Sequence, residues 1–123
     1  MIEYDESGEF KKDLKKLVKR FRSLPEDLNT VKKAVIELRH VKGIDNLSTF
    51  EIPGFFTENS NFWKIKKFAC KSLKGRGVQS GIRVIYNWCK NYDKVIFVEI
   101  YYKGDKENED SARIKRFIKN SAS

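Results

Sequence analysis

The segment that decides the fold is GIRVIYNWCKNYDKVIFVEIYYK, residues 81–103. Its two halves, 81–89 and 94–103, are rich in β-branched and aromatic residues, which is typical of strands that pack on a core. The four residues between them, 90–93, are mostly polar and few enough for a hairpin turn. The segment therefore predicts two antiparallel strands, of which 94–103 has the strongest strand pattern in the chain.

The N-terminal third has a helical pattern. Apolar residues recur at three- and four-residue steps from Phe10 to Phe21, with lysines on the opposite face. Ser23, with Glu26 three residues later, predicts the start of a second helix with a capping box. This second helix is expected to end near Gly43. Its apolar stripe consists of Leu28, Val31, Val35 and Leu38.

Four further segments complete the predicted architecture. A short first strand is expected at 2–4, another strand at 62–70 and a closing helix at 109–120. Residues 43–62 show no sustained period and are interpreted as a loop that packs on the core or receives a partner segment. The chain is therefore predicted to be α+β, with an N-terminal helical hairpin packed on a small antiparallel sheet. The predicted order is β-α-α-β-β-β with a short C-terminal helix.

Composition limits the class of protein. The 123 residues, 40% of them hydrophobic, suit a single domain spanning 1–123. No apolar run is long enough to span a bilayer, and the acidic N-terminus does not resemble a secretory signal. The only cysteines, Cys70 and Cys89, lie in strand-like segments and favour buried thiols in a reducing cytoplasm. With one histidine, His40, expected at the surface or at a helix cap, we expect neither a metal site nor a cofactor.

The charge is unevenly distributed along the chain. Residues 1–62 hold eleven basic and eleven acidic residues, whereas 63–103 hold ten basic residues and two acids, Asp93 and Glu99. Almost all of the net charge of +9 therefore comes from one third of the sequence. Such a concentration is typical of proteins that bind polyanions. The alternative is a solvated basic face without a partner.

The basic residues of the predicted strands suggest a phosphate site. Lys64 and Lys66 are two residues apart and point to one face of a strand, and Arg83 on the next strand can lie beside them. Lys103 ends the last strand. Arginine grips two phosphate oxygens and lysine adds a point charge. Crowding of these cations is expected to lower the pKa of one lysine, which could then act as a general base in RNA cleavage.

Further residues are expected to contact RNA around this site. The loop sequence Lys74-Gly-Arg-Gly77 lacks the spacing of a triphosphate-binding loop, but its basic residues can touch the RNA backbone. Tyrosines can stack on bases, although aromatic residues at strand spacing are more often part of a core. The predicted RNA-binding residues are Lys67, Lys71, Lys74, Arg76, Tyr86, Tyr101, Tyr102 and Lys106.

Two motifs together resemble a known superfamily. WKIKKFACKSLKGRGVQSGIRVIYNW, residues 63–88, followed by VIFVEIYYKGDKEN, residues 95–108, is similar to the RelE/ParE superfamily of type II toxin–antitoxin toxins. The likeness is greatest to the HigB-like and RelE-like branch. It spans roughly residues 2 to 118 and includes the order of elements, with a helical hairpin before the sheet.

The resemblance implies an activity and partners. RelE- and HigB-type toxins enter the ribosomal A site, where they contact 16S rRNA and cut the mRNA without a metal. By position, Lys64 and Lys66 match the family's basic strand pair, Arg83 its transition-state arginine, and Lys103 the basic position that ends the last strand. A cognate antitoxin protein holds such toxins inactive, and an acidic segment would complement the basic third of this chain.

The chain departs from the family pattern at the general acid. Many members carry a histidine or tyrosine near the C-terminus, whereas here neither follows Tyr102. Tyr101, Tyr102 and Lys106 are the remaining choices. Two alternatives stay open: a ParE-like toxin that inhibits DNA gyrase and cuts nothing, and a non-toxic RNA-binding module.

Overall fold

A computed structural model describes residues 1–121 of the chain. The strands are β1 (Glu3–Glu6), β2 (Thr49–Phe56), β3 (Ser60–Ile65), β4 (Ile82–Cys89) and β5 (Lys94–Tyr102). The helices are α1 (Gly8–Val18), α2 (Leu24–Val31), α3 (Leu38–His40) and α4 (Ser111–Ser121), with a π-helical segment (Lys32–Glu37) between α2 and α3 and a 3₁₀ turn (Lys90–Tyr92) between β4 and β5.

The five strands form one sheet in the order β1-β5-β4-β3-β2. The pairs β2–β3, β3–β4 and β4–β5 are antiparallel, and β1 pairs with β5 in parallel at one edge. The hairpin of β4 and β5 lies at the centre, as the pattern of residues 81–103 predicts. The α+β fold class, with N-terminal helices packed on a largely antiparallel sheet and a short helix at the end, is confirmed.

The prediction of a loop over 43–62 is wrong for 49–56 and 60–62, which form strands, and is confirmed for 43–48 and 57–59. Thr49–Phe56 is an edge strand that forms a hairpin with β3. Its register is irregular between Glu51 and Phe56, and Pro53 lies within this irregular part. Proline is tolerated at such a position because an edge strand need not donate every ladder hydrogen bond. The same irregularity hides the alternating pattern that would have indicated a strand.

The N-terminal helical hairpin forms, but the start of its second helix, α2, is not capped in the predicted way. Ser7 caps α1 by accepting a hydrogen bond from the Phe10 backbone N–H at 3.2 Å. The Ser23 side chain makes no capping hydrogen bond, so the predicted capping box is absent. The wider π-helical turn of Lys32–Glu37 shifts the buried stripe, so that Ile36 is fully buried. A stripe with a strict helical period does not include this residue.

The sheet is covered on both faces, with a separate core on each. The larger core lies under α1, α2 and the π-helical segment and includes Phe10, Leu24, Ile36 and Phe97. The smaller core lies under α4, where Ile114 is fully buried and Phe117 packs at the margin. Within residues 1–121, no helix is both long and apolar enough to cross a membrane.

Candidate nucleic-acid interface

A cleft of about 570 Å³ opens at one end of the sheet. β3 ends there, β4 begins there and β5 ends there, since β4 is antiparallel to both of its neighbours. Ile65 lies opposite Val84, and Ile82 lies opposite Tyr102. The loop that connects β3 to β4 forms the remaining wall. Strand ends thus place side chains from distant parts of the sequence around one cavity.

Five cationic side chains line this cleft, which we call the cationic cleft: Lys66, Lys67, Arg76, Arg83 and Lys103. Three of them, Lys66, Arg83 and Lys103, were predicted as catalytic, and the other two as RNA-binding. Among the described residues that line the cleft there is no carboxylate. The positive charge is therefore not balanced inside the cleft, which suits a phosphate group.

Arg83 is the most constrained of these cations. Its Nη1 atom donates to the backbone oxygen of Lys66 at 2.9 Å and to that of Ile82 at 3.3 Å. The side chain is partly buried, whereas Lys66 and Lys103 are exposed. A guanidinium carries five N–H donors. The contacts of Nη1 hold the group in place and leave other donors for a ligand.

Lys64 lies on the same sheet face but outside the cationic cleft. Its Nζ donates to Glu109 Oε1 at 2.7 Å, and the two side chains are only 15% and 18% exposed. Burial is the largest single influence and lowers the pKa of Lys64, but the interactions with Glu109 and Tyr101 together outweigh burial, so the pKa is raised. The expectation that crowding lowers the pKa of a strand lysine is therefore wrong for Lys64, because a carboxylate neutralises it.

The loop between β3 and β4 is firmly attached to the body of the protein. Phe68 is fully buried, and its backbone N–H donates to the Val78 oxygen at 3.1 Å. Ser80 is also fully buried and donates to the Phe68 oxygen at 2.5 Å. The loop begins at residue 66, so the strand predicted over 62–70 ends five residues earlier than expected, at Ile65, and begins two residues earlier, at Ser60. Cys70 therefore lies in the loop, where it is buried and free.

A second attachment joins this loop to the start of α2. Ser23 Oγ donates to Asp27 Oδ2 at 2.6 Å and accepts from the Ser72 backbone N–H at 2.8 Å. The Lys71 backbone N–H donates to the same Asp27 oxygen at 3.2 Å. Lys71 Nζ forms an ion pair with Glu26 Oε1 at 2.5 Å, and Lys74 is exposed in the loop. Neither lysine lines the cationic cleft.

The three predicted RNA-binding tyrosines have different surroundings. Tyr86 is fully buried, and its hydroxyl lies 2.7 Å from His40 Nε2 and 3.0 Å from Thr49 Oγ1. It is a core residue, so the prediction that it stacks on bases is not compatible with its position. Tyr101 is 5% exposed and its hydroxyl lacks a hydrogen-bond partner among the described residues. Only Tyr102 lines the cationic cleft.

Two glycines hold the Tyr102 ring. A Cβ atom at Gly104 would lie 2.5 Å from Tyr102 Cε2, and one at Gly81 would lie 3.2 Å from Cε1. Gly81 also has a φ of +86°, which favours glycine. On its other side, the ring contacts Phe21 with centroids 5.2 Å apart. The orientation of Tyr102 in the cleft is therefore set by its neighbours.

Lys106 lies outside the cationic cleft and is already paired. Its ammonium group forms an ion pair with Glu99, whose side chain is 2% exposed. The Glu99 carboxylate also accepts from the Asp110 backbone N–H at 2.9 Å. Lys106 Nζ lies 5.2 Å from the centre of the Tyr101 ring. These contacts attach the segment after β5 to the sheet.

His40 is the last residue of α3, which agrees with the expected position at a helix end, but its side chain is half-buried and not at the open surface. Its ring stacks on Trp88 with centroids 4.6 Å apart and meets the edge of Trp63 at 4.8 Å. Burial, together with the nearby charge of Arg39, lowers the pKa of His40 to about 4. The imidazole is therefore half-buried against the edge of the core and neutral at physiological pH.

Two features of the site were not predicted from the sequence. Glu109 lies 45 residues from Lys64, and no local pattern indicates that the two meet. The pair of glycines around Tyr102 comes from separate segments, although each glycine adjoins a strand end. Among residues 1–121, no three His, Cys, Asp or Glu side chains are grouped so as to hold a metal ion.

Comparison with known proteins gives one informative match. No protein-family model and no curated protein matches the sequence significantly. Among solved structures, the chain is similar to a chain in the crystal structure of the archaeal RelE–RelB complex from Pyrococcus horikoshii OT3. The match has a TM-score of 0.51 and 13% identity, and it covers 84% of this chain and 96% of the other. The fold is thus RelE-like, in agreement with the sequence resemblance.

Proposed function

We propose that this chain is the toxin of a type II toxin–antitoxin system and acts as a ribosome-dependent, metal-independent mRNA endonuclease. The observation that carries this proposal is the cationic cleft, in which five basic side chains meet without a lining carboxylate. The RelE-like fold supports it, because the structural neighbour belongs to a RelE–RelB complex. The protein would act in the cytoplasm, where it would meet translating ribosomes.

The cleft suits an RNA cleavage in which the ribose next to the phosphate provides the nucleophile. The 2′-hydroxyl of the mRNA loses its proton to a general base and attacks the adjacent phosphate, which forms a pentacoordinate anion. The bond from phosphorus to the 5′-oxygen then breaks, so that a 2′,3′-cyclic phosphate remains and the 5′-oxygen leaves with a proton from the general acid. Arg83, held by its backbone contacts, grips two phosphate oxygens, while Lys66 and Lys103 neutralise the charge that develops. Fixed cations of this kind stabilise a transition state without further rearrangement.

Tyr102 is our choice for the general acid. Of the three residues left open by the sequence, it alone lines the cationic cleft. Tyr101 is buried and Lys106 is paired with Glu99. Tyr102 Oη would donate a proton to the leaving 5′-oxygen. Lys64 is assigned a supporting role, because Glu109 occupies its ammonium group.

The proposed partners follow from the charge of the site. The mRNA in the ribosomal A site enters the cleft, and 16S rRNA lies against the surrounding basic surface. A cognate antitoxin with an acidic segment would cover the cleft and block RNA. The RelE–RelB complex from Pyrococcus horikoshii OT3 supports a protein partner of this kind.

The test is induced expression with transcripts mapped for cuts at codon positions. We expect growth arrest with cleaved mRNA, and we expect Arg83→Ala to abolish both while the protein stays folded. Lys115→Ala, an exposed lysine of α4 outside the cleft, is the matched control and should remain toxic. Growth arrest with intact transcripts would overturn the nuclease, and a gyrase supercoiling assay would then test the ParE-like alternative. Harmless overexpression would favour a plain RNA-binding module.

A further inference from the structure

A second basic surface lies on α1. Lys11, Lys12, Lys15, Lys16 and Lys19 follow one another at steps of one and three residues. At about 100° per residue, they fall within an arc of about 140° on one side of the helix axis. All five are exposed, whereas Phe10 and Leu17 on the opposite side are buried in the core. We call these five lysines the α1 basic face.

The charge of the α1 basic face is not compensated locally. None of its five lysines forms an ion pair within the described part of the chain. The two acids of the helix are engaged elsewhere. Asp13 binds Arg113 at 2.5 Å, and Glu9 binds Arg116 at 2.9 Å. The arginines of α4 thus pair with the two acids of α1, and the five lysines stay without an ion-pair partner among the described residues.

This face leads toward the cationic cleft. Arg20 follows the helix directly, and its guanidinium carbon lies 5.1 Å from the centre of the Phe21 ring and 5.4 Å from that of Tyr102. Tyr102 lines the cleft. The C-terminal end of the α1 basic face is therefore joined to the rim of the cleft through Arg20, which also forms an ion pair with Asp105 at 2.5 Å.

We propose that the α1 basic face binds the phosphate backbone of double-stranded RNA next to the single strand held in the cationic cleft. This inference rests on the proposed function, since it extends the RNA path beyond the cleft. Lys11, Lys15 and Lys19 are one turn apart and form a line of charge about 12 Å long. A line of lysines suits the regularly spaced phosphates of a duplex, which carry no sequence information.

The composition of the face favours nucleic acid over an acidic protein. Lysine is depleted at specific protein interfaces, whose centres are rich in aromatic residues, methionine and arginine. The α1 basic face contains only lysine, and no exposed large hydrophobic residue lies on α1 in the described chain. It therefore lacks the apolar centre that a protein partner needs.

The experiment measures binding of an RNA duplex of about 16 base pairs by fluorescence anisotropy. The variant Lys11→Glu/Lys15→Glu/Lys19→Glu should bind this duplex at least about tenfold more weakly at low salt. For this variant, the slope of log K against the logarithm of the salt concentration should also be smaller in magnitude by about 2 to 3, since each phosphate contact contributes about 0.9 to the slope. The triple alanine variant at the same positions, with less charge change, should show the same reduced slope.

The control variant changes the net charge by the same amount at three exposed lysines outside α1, with Lys42→Glu, Lys90→Glu and Lys115→Glu. It should bind the duplex much more tightly than the α1 glutamate variant. The assay measures binding and requires no cleavage. Duplex binding therefore reports on α1 even if the nuclease assignment fails. Equal weakening in the α1 variant and its control would overturn the proposal, as would tighter binding of the unmodified protein to a DNA duplex. The proposal would also be overturned if the α1 variant bound the duplex like the unmodified protein and had lost only its binding to an acidic protein partner.

Discussion

Glu109 and Lys64 form an ion pair that joins the segment before α4 to the inner strand β3. Their charged atoms are 2.7 Å apart and both side chains are largely buried. Burial is the largest single influence and raises the pKa of Glu109, but the hydrogen bond from Lys64, a backbone hydrogen bond and the charges of Lys64 and Lys66 together outweigh it, so the pKa is lowered. The pair therefore contributes to stability and also withholds one strand lysine from any ligand of the sheet face.

The variant Glu109→Gln should lower the free energy of unfolding by about 1 kcal/mol at pH 7. A carboxyl whose pKa is lowered by folding stabilises the protein above its unfolded pKa of about 4.3 and loses this effect as the pH falls through the folded value. The difference between the variant and the unmodified protein should thus shrink below about pH 4. Urea unfolding at several pH values measures it. Glu107→Gln, an exposed neighbour without an ion pair among the described residues, should match the unmodified protein.

When the basic residues are replaced one at a time, the loss of cleavage rate should depend on whether the residue lines the cationic cleft. Lys66→Ala and Lys103→Ala remove cations that line it, and each should reduce the single-turnover cleavage rate about 10²-fold or more. Lys64→Ala should cost less than about tenfold, because its ammonium group is neutralised by Glu109. Rates would be measured on programmed ribosomes. A larger loss for Lys64 than for Lys66 would show that the ion pair opens during the reaction.

Gly104→Ala should displace the Tyr102 ring from the cleft. The added Cβ would lie 2.5 Å from Cε2 of the ring, a distance that forces the ring or the backbone to move. Such overpacking typically costs about 1 to 3 kcal/mol. We expect shifted Tyr102 ring signals in NMR spectra and loss of cleavage. Gly8→Ala, whose Cβ would meet no atom within 4 Å, should change neither. An unchanged Tyr102 signal in Gly104→Ala would contradict the close contact.

The central part of the fold could be predicted because its signals are local. Residues 82–89 and 94–102 carry a dense strand pattern, and their short connection leaves few alternatives to a hairpin. The period of two along a strand likewise places Lys64 and Lys66 on one face. The edge strand β2 was missed because Pro53 and an irregular register interrupt its pattern. Local sequence signals thus specify the strands that alternate regularly and fail where a strand is broken.

The site could be predicted only in part, because long-range packing decides which charges remain free. Lys66 directly follows β3 and Arg83 lies near the start of β4, so the pairing of these two strands, which the sequence pattern indicates, brings the two residues together. Whether a lysine keeps its charge available depends on acids that fold back from elsewhere, such as Glu109. The burial of Tyr86 depends on helices that pack over the sheet from the N-terminal third. A strand pattern alone does not reveal which aromatic residues such packing covers.

Asp27→Ala should loosen the basic loop from α2. Asp27 is 3% exposed and accepts from Ser23 Oγ and from the Lys71 backbone N–H. Removing it leaves these donors without their partner, which costs about 1 to 3 kcal/mol. We expect faster hydrogen exchange at the amides of Lys71 and Ser72. Glu26→Gln, which breaks only the exposed ion pair with Lys71, should leave the exchange unchanged. Equal exchange in both variants would show that the loop is held by other contacts.

His40 should titrate with a midpoint near pH 4 instead of about 6.5. The chain contains one histidine, so its ring signals in NMR spectra are unambiguous. A histidine whose pKa is lowered by folding binds its proton more readily in the unfolded state, so stability falls as the pH falls between about 6.5 and 4. His40→Gln should remove this part of the pH dependence. Tyr86→Phe deletes the hydroxyl that contacts the ring but keeps the ring buried, and the midpoint should stay low because burial is its main cause. A midpoint near 6.5 in the unmodified protein would show that the ring is open to water.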